Sequence, residues 1–214
     1  NKVFNFNNVD TDKSVKMNND NFRNKISVIG PNWDIRNVKC GAIVNAANIT
    51  LLGGDGIDGL IHLRAGPLLR HKCEQLPVKQ TSLNGTKIRC FPGQCEVTDT
   101  NGTGLTNCDY VFHTVGPNVK QQKDMIVNAT TLRSCYENCL GNMLKYNVKS
   151  IAFCCISTSI YGYDNTDAAN IAFETVKSWL EKNHQSVEKI IFCTYLDKDY
   201  KIYTDLLNKY FPKD

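Results

Sequence analysis

Gly41-Ala42-Ile43-Val44-Asn45-Ala46-Ala47-Asn48 runs directly into Ile49-Thr50-Leu51-Leu52-Gly53-Gly54-Asp55-Gly56-Ile57-Asp58-Gly59. This stretch decides the fold class. From Gly41 to Ala47 the run is apolar except for Asn45, and Asn48 closes it, the pattern of a strand buried on both faces. A glycine-rich turn follows. Apolar residues then recur at Ile57, Leu60, Ile61, Ala65, Leu68 and Leu69, which is a helical period. Pro67 should split that helix in two, because its ring removes an N–H and crowds the preceding turn.

The same alternation continues outward. Strands are predicted at Lys25 to Ile29, Lys87 to Phe91, Tyr110 to Val115, Ile151 to Ile156 and Lys189 to Tyr195. The Asn-, Gly- and Thr-rich stretch between Phe91 and Tyr110 reads as a loop. Ala129 to Tyr146 carries Leu132, Cys135, Tyr136, Cys139, Leu140 and Met143 on one stripe and reads as an amphipathic helix. Thr166 to Lys182 and Asp197 to Tyr210 complete the helices. Residues 1–24 are polar and poorly periodic and read as a loose arm with a short helix. Strands alternating with helices predict an α/β domain: three α/β/α layers around a central mixed, largely parallel sheet. Ligands of such sheets bind beyond the carboxyl ends of the strands. The informative loops therefore follow Val44, Val115, Ile156 and Tyr195.

Composition excludes several classes. The 214 residues carry 25 Lys and Arg against 21 Asp and Glu, and 42% are hydrophobic. That supports one full core and rules out a disordered chain. No apolar window is long enough to span a membrane, and residues 1–20 show no apolar leader. Lys and Arg are scattered, which argues against a nucleic-acid partner. The ten cysteines sit in a chain neither short nor loop-dominated, so they read as reduced thiols. Cys135 and Cys139 share a helix face, but no matching His or Cys pair completes a zinc site. Asn-x-Ser/Thr triplets occur at Asn48, Asn84, Asn101 and Asn128. A glycan on Asn48 would plug the site proposed below, so an intracellular setting, cytoplasmic or nuclear, is expected.

The glycine turn admits two readings. It is either a phosphate cradle, with the helix N-terminus supplying N–H groups, or a flexible turn capped by Asp58. Gly54 to Gly59 also satisfies G-x-G-x-x-G. A dinucleotide fold, however, places the first glycine directly off the strand and an acidic residue at the end of a second strand. Here the strand ends near Ala47, and the acidic position falls on Glu74 in a helical or turn region. An NAD-dependent oxidoreductase is discounted on those grounds. No G-x-x-x-x-G-K-S/T exists, so a P-loop nucleotidase is excluded.

Four separated segments then converge. Ala42 to Asn48 with Leu51 to Gly59 and Ile61-His62, His113 to Pro117, Cys155 to Gly162, and Ile190 to Leu196 with Lys201-Ile202-Tyr203 together resemble the macrodomain family, and within it the MacroD-type ADP-ribose hydrolases. The resemblance covers roughly residues 25–211 and implies a macrodomain over 25–214. It implies an ADP-ribose cleft at the top of the sheet. Asp34, with Ile35 beside it, matches the position that accepts a hydrogen bond from the adenine amino group. Tyr195 matches an aromatic that packs on adenine. Ala46, Gly54, Asp55, Gly56 and Ile57, together with Ser157, Thr158, Ser159, Ile160 and Tyr161, match the segments that clasp the diphosphate and distal ribose. Asn48 matches an asparagine that bonds the distal ribose. Asp58 matches the catalytic acid position, and His62, one helical turn on, would tune Asp58 or pack behind it.

The chain departs from the family pattern at three places. Trp33 replaces the glycine before Asp34. Asp55 replaces the third glycine of the turn and would repel the diphosphate unless it points to solvent. Ser159 replaces a glycine and would be strained if that position needs a positive φ.

The resemblance implies a hydrolase that removes mono-ADP-ribose from acidic side chains of proteins and deacetylates O-acetyl-ADP-ribose. It would act as a monomer, without metal or cofactor, on ADP-ribose and mono-ADP-ribosylated proteins. The rival reading is a non-catalytic reader of the same ligand. A polymer binder, motivated only by the mild positive charge, is the weakest of the three.

Overall fold

The computed structural model describes residues 22–213, and residues 4–5 as backbone. In chain order the strands are β1 (Phe4–Asn5), β2 (Ile26–Ile29), β3 (Val38–Lys39), β4 (Ala42–Ala46), β5 (Gln80–Thr81), β6 (Lys87–Ile88), β7 (Cys95–Asp99), β8 (Tyr110–Thr114), β9 (Ser150–Phe153) and β10 (Lys189–Cys193). The helices are α1 (Gly56–Ala65), α2 (Pro67–Glu74), α3 (Met125–Lys145), α4 (Asn165–Asn183) and α5 (Asp197–Tyr210).

The central sheet has six strands in the order β2-β10-β9-β4-β8-β7. The first five run parallel; β7 pairs antiparallel with β8 at the edge. Every residue of β9 and β10 is buried, as a sheet covered by helices on both faces requires. Helices α3, α4 and α5 lie side by side, while α1 packs on α2 and β4. This is the mixed, largely parallel α/β architecture that the alternation predicts.

A train of rings ties the core together. Tyr136 of α3 meets Phe153 of β9 at 5.0 Å between centroids, and Phe173 of α4 meets Phe192 of β10 at 4.7 Å. Tyr203 of α5 meets Phe192 edge-on at 5.3 Å. Each such pair contributes about 0.5–1.5 kcal/mol beyond area burial.

Several expectations are corrected. The stretch between Phe91 and Tyr110 is not all loop, because β7 lies within it. Cys95 to Asp99 are mostly half-buried, and an edge strand with one neighbour carries no continuous apolar run. The strand expected over Lys87 to Phe91 shrinks to Lys87–Ile88, which pairs with β5 in a separate hairpin. Helix α3 starts at Met125 rather than Ala129, since the Asp124 carboxylate accepts from the N–H groups of Ile126 and Val127. Its first turn exposes Met125, Ile126 and Val127, which hid the start from a stripe-based reading. Strands β9 and β10 stop at Phe153 and Cys193, and the residues expected to extend them turn into loops. Pro67 does divide the first helix, standing at the first position of α2. Most of the N-terminal arm lies outside the described residues. Within it, Phe4–Asn5 pairs parallel with β3, and a 3-10 turn spans Phe22–Lys25.

Candidate active site

The five parallel strands end on one cleft of about 980 Å³. Its walls come from the segments that follow β2 (Trp33 to Arg36), β4 (Ala46 to Asn48, then Gly54 to Asp58), β8 (Gly116), β9 (Cys154, Cys155 and Ser157 to Tyr161) and β10 (Tyr195 and Leu196). Asp34, Ile35, Ala46, Asn48, Gly54, Asp55, Gly56, Ile57, Asp58, Ser157, Thr158, Ser159, Ile160, Tyr161 and Tyr195 all line it. His62 does not. Its ring sits under Gly53, behind Asp58.

The glycine turn is shaped by what precedes α1. Asn48 donates to the Gly53 carbonyl at 3.0 Å and accepts from the Thr50 N–H and hydroxyl at 3.0 and 2.6 Å. The turn is thereby pinned to the end of β4. Gly56 opens α1 at φ +65°, a conformation that a side chain would strain. Asp55 holds an ordinary φ of −88° and is exposed, so a non-glycine residue fits there without backbone strain. It makes no side-chain cap hydrogen bond, leaving the first N–H groups of α1 uncapped by it at the cleft wall. Such a helix start favours an anion. Asp58 is not the cap, which is Asp55; it is buried in the first turn of the helix, as its third residue.

The opposite wall, Ser157 to Gly162, is braced from below. The Tyr163 N–H donates to the Ser157 carbonyl at 2.9 Å, and the Val119 N–H to the Tyr161 carbonyl at 3.1 Å. Among the serines of this loop, Ser157 rather than Ser159 occupies the left-handed region, at φ +67°. The substitution at Ser159 therefore carries no backbone strain. At the far end, Arg36 grips Asp34 through Nε at 2.8 Å and Nη2 at 2.7 Å. Burial alone would raise the Asp34 pKa, but the Arg36 contacts outweigh it and hold the carboxyl below its usual range. Tyr195 stands 64% exposed on the rim.

Sequence reading missed the network behind Asp58. Asn45, fully buried in β4, donates from Nδ2 to Asp58 Oδ1 at 2.8 Å. Its Nδ2 also lies 3.1 Å from His113 Nδ1. With that nitrogen as acceptor, the His113 proton sits on Nε2, 2.8 Å from the Thr98 hydroxyl. The chain Thr98–His113–Asn45–Asp58 thus draws on β7, β8, β4 and α1. Asn45 and His113 belong to quoted motifs, but no spacing rule joins residues on separate strands. Arg36, Asn165, Lys198 and Asp199 also line the cleft and were not singled out; the loop rule for β10 could have found the last two.

Burial pushes the Asp58 pKa up, against the lowering effects of the Asn45 hydrogen bond and of His62. Its Oδ2 has no hydrogen-bond partner among the described residues. Burial likewise lowers the His62 pKa, with Asp58 opposing and Arg70 assisting. The ring is therefore neutral near pH 7, and its Nε2 lies 3.5 Å from Asp58 Oδ1, too far for a hydrogen bond.

His113 is fully buried, and burial drives its pKa from 6.5 to about 3. The sign follows from linkage. Below about pH 6.5 the unfolded chain takes up this proton first, so the neutral ring's contribution is full above that pH and is lost as pH falls toward 3. The slope approaches 1.4 kcal/mol per pH unit, or about 2 kcal/mol between pH 6.5 and 5. Urea unfolding in metal-free buffer at pH 7 and pH 5 should show that loss in wild type and a smaller one in His113→Leu. Equal losses would mean that the ring is charged in the fold.

Behind the cleft, among the described residues, one cluster brings potential metal ligands together. His62, Cys73 and His113, from three separate elements, place one ligand atom each within 4.8 Å of one another.

Comparison with known proteins places this geometry. The family model "Macro domain" matches residues 44–172. The mouse ADP-ribose glycohydrolase MACROD2 is 44% identical over 184 residues, covering 85% of this chain but 35% of the relative. This chain therefore spans about a third of that protein's length. O-acetyl-ADP-ribose deacetylase 2 of Pantoea vagans is 36% identical, with 86% of this chain and 99% of the relative covered. Among solved structures, the Trypanosoma brucei macrodomain in complex with ADP-ribose superposes with a TM-score of 0.70 at 33% identity, over 86% of this chain and 69% of that one. The Oceanobacillus iheyensis macrodomain with ADP gives 0.73 at 32% identity, over 89% and 92%. The family match spans more than half of the chain and the bacterial relative is matched almost end to end, so this protein is a member of the Macro domain family.

Proposed function

We propose that the protein binds ADP-ribose and hydrolyses mono-ADP-ribose from acidic side chains of proteins, and that it deacetylates O-acetyl-ADP-ribose at the same site. The observation that carries this reading is the state of Asp58. Asn45 fixes its Oδ1, while Oδ2 lies unpartnered beside Gly54 and within the same cleft as Asn48. In this reading adenine lies between Asp34 and Tyr195. The diphosphate rests on the start of α1 and on the Ser157 to Tyr161 loop. The distal ribose meets Asn48, Tyr161 and Asp58.

Hydrolysis then needs one base. Asp58 Oδ2 takes a proton from water as the water oxygen bonds to the anomeric carbon of the distal ribose. The bond from that carbon to the acyl oxygen breaks, and its electron pair leaves with the carboxylate, which needs no proton. A carboxylate whose pKa is raised by burial is a stronger base than an exposed one. The reading extends to an intracellular setting, consistent with ten free thiols and with the commitment of the Asn48 side chain to Gly53 and Thr50.

Incubation with a glutamate-linked mono-ADP-ribosylated acceptor should release ADP-ribose. Tight ADP-ribose binding by calorimetry without release would assign the reader role instead. Asn45 acts on Asp58 as a positioning residue. Asn45→Leu should lower turnover at pH 7 about 10- to 100-fold, the value of a hydrogen bond to a charged group. It should also move the acid limb of the kcat/KM profile to higher pH, because the lowering hydrogen bond is gone. A profile scaled down without moving would reduce Asn45 to packing.

A further inference from the structure

We propose that His62, Cys73 and His113 form a zinc site behind the cleft, with Asp58 as an available fourth ligand, and that occupation of this site switches the proposed hydrolysis off. Cys73 and His113 are fully buried. Cys73 Sγ lies 3.7 Å from His113 Nε2. With Zn–S near 2.3 Å and Zn–N near 2.0–2.1 Å, a tetrahedral ion sets its ligand atoms about 3.3–3.7 Å apart, so this pair is already spaced for it. His62 Nε2 is buried and without a hydrogen-bond partner among the described residues; Asp58 Oδ1 lies 3.5 Å from it but outside the close set of three, so it must swing inward to reach the ion. One sulfur, two imidazoles and one carboxylate suit zinc or cobalt rather than magnesium or calcium.

The protons balance. The Cys73 thiol releases its proton to solvent as the Zn–S bond forms. The His113 proton moves from Nε2 to Nδ1, and Nε2 exchanges its contact with the Thr98 hydroxyl for the ion. Nδ1–H then needs an acceptor, and Asn45 Oδ1, unpartnered in the present arrangement, supplies it when the amide turns over. That turn takes the Nδ2 hydrogen bond away from Asp58 and faces an oxygen toward it, so the carboxylate is released toward the ion. The base is lost to catalysis by the same rearrangement that completes the coordination shell.

Metal binding rests on this geometry alone; its inhibitory effect rests on the hydrolase reading. Co²⁺ titrated into the reduced full chain should give one equivalent of tetrahedral visible absorption with a thiolate charge-transfer band. Cys73→Val should abolish the charge-transfer band and Cys95→Ser should leave it. His62→Asn, removing a ligand from the other side of the cluster, should weaken binding at least ten-fold, with folding of each variant checked by circular dichroism. Zn²⁺ should inhibit ADP-ribose release by wild type, and Cys73→Val should require at least ten-fold more. Absence of the band, or its survival in folded Cys73→Val, overturns the site. A normal band with turnover indifferent to Zn²⁺ overturns the switch. A normal band in a protein that never releases ADP-ribose leaves the site standing and sinks the hydrolase reading on which the switch depends.

Discussion

Asp58→Asn should keep ADP-ribose affinity within a few-fold of wild type while turnover on a glutamate-linked acceptor falls about 10²- to 10⁴-fold, the usual contribution of a positioned base. The amide is nearly isosteric, and its oxygen can still accept from Asn45. What disappears is the ability to hold a proton taken from water. Stability should move the other way. A carboxyl whose folded pKa lies above its unfolded value stabilises the fold only at low pH, and that contribution is gone once pH has risen through the folded pKa. At pH 7 the ionised Asp58 is therefore a burden on the fold, and Asp58→Asn should melt higher. A variant with full turnover, or one that loses binding and turnover together, would remove Asp58 from the role assigned to it.

Gly59→Ala should have the second largest effect, against the helix-propensity trend. Inside an exposed helix this exchange stabilises by about 1 kcal/mol. Here the added Cβ would lie 2.3 Å from the Gly54 carbonyl oxygen, and a backbone atom cannot swing aside as a side chain can. The turn has to lift from α1, with a net loss of about 1–3 kcal/mol, as for other overpacked sites. ADP-ribose affinity should fall at least ten-fold, because the N–H groups proposed above to receive the diphosphate ride on that turn. Denaturant unfolding and calorimetry on the one variant check both numbers. A more stable protein with unchanged affinity would show that the turn and helix need not touch.

Much of this was legible in the chain. The apolar run closed by Asn48, the glycine turn and the helical period after it located the strand, the loop and the helix that build one wall of the cleft. The carboxyl-end rule located the remaining loops. Strand β7 was hidden because pairing on one side only leaves its residues half-exposed. Its Thr98 was hidden with it. The partnership of Asn45 and His113 was hidden for a different reason: they face each other through the register of β4 on β8, which no local spacing encodes, and Cys73 reaches them from α2. Ser159 was read as a hazard because a glycine position suggests positive φ, and Asp55 because its carboxylate stands near the expected diphosphate. The backbone needs a positive φ at Gly56 and tolerates it at Ser157, and at Asp55 and Ser159 it does not call for it.

Asn45 gives one amide hydrogen to Asp58 and the other to His113. The carboxylate is consequently aimed before any nucleotide arrives. Turning it would strip a hydrogen bond from a fully enclosed amide and leave that donor bare. If Asp58 is the base proposed above, its aim is thus acquired when β4 and β8 zip together, and a docking substrate would find nothing left to order at that end.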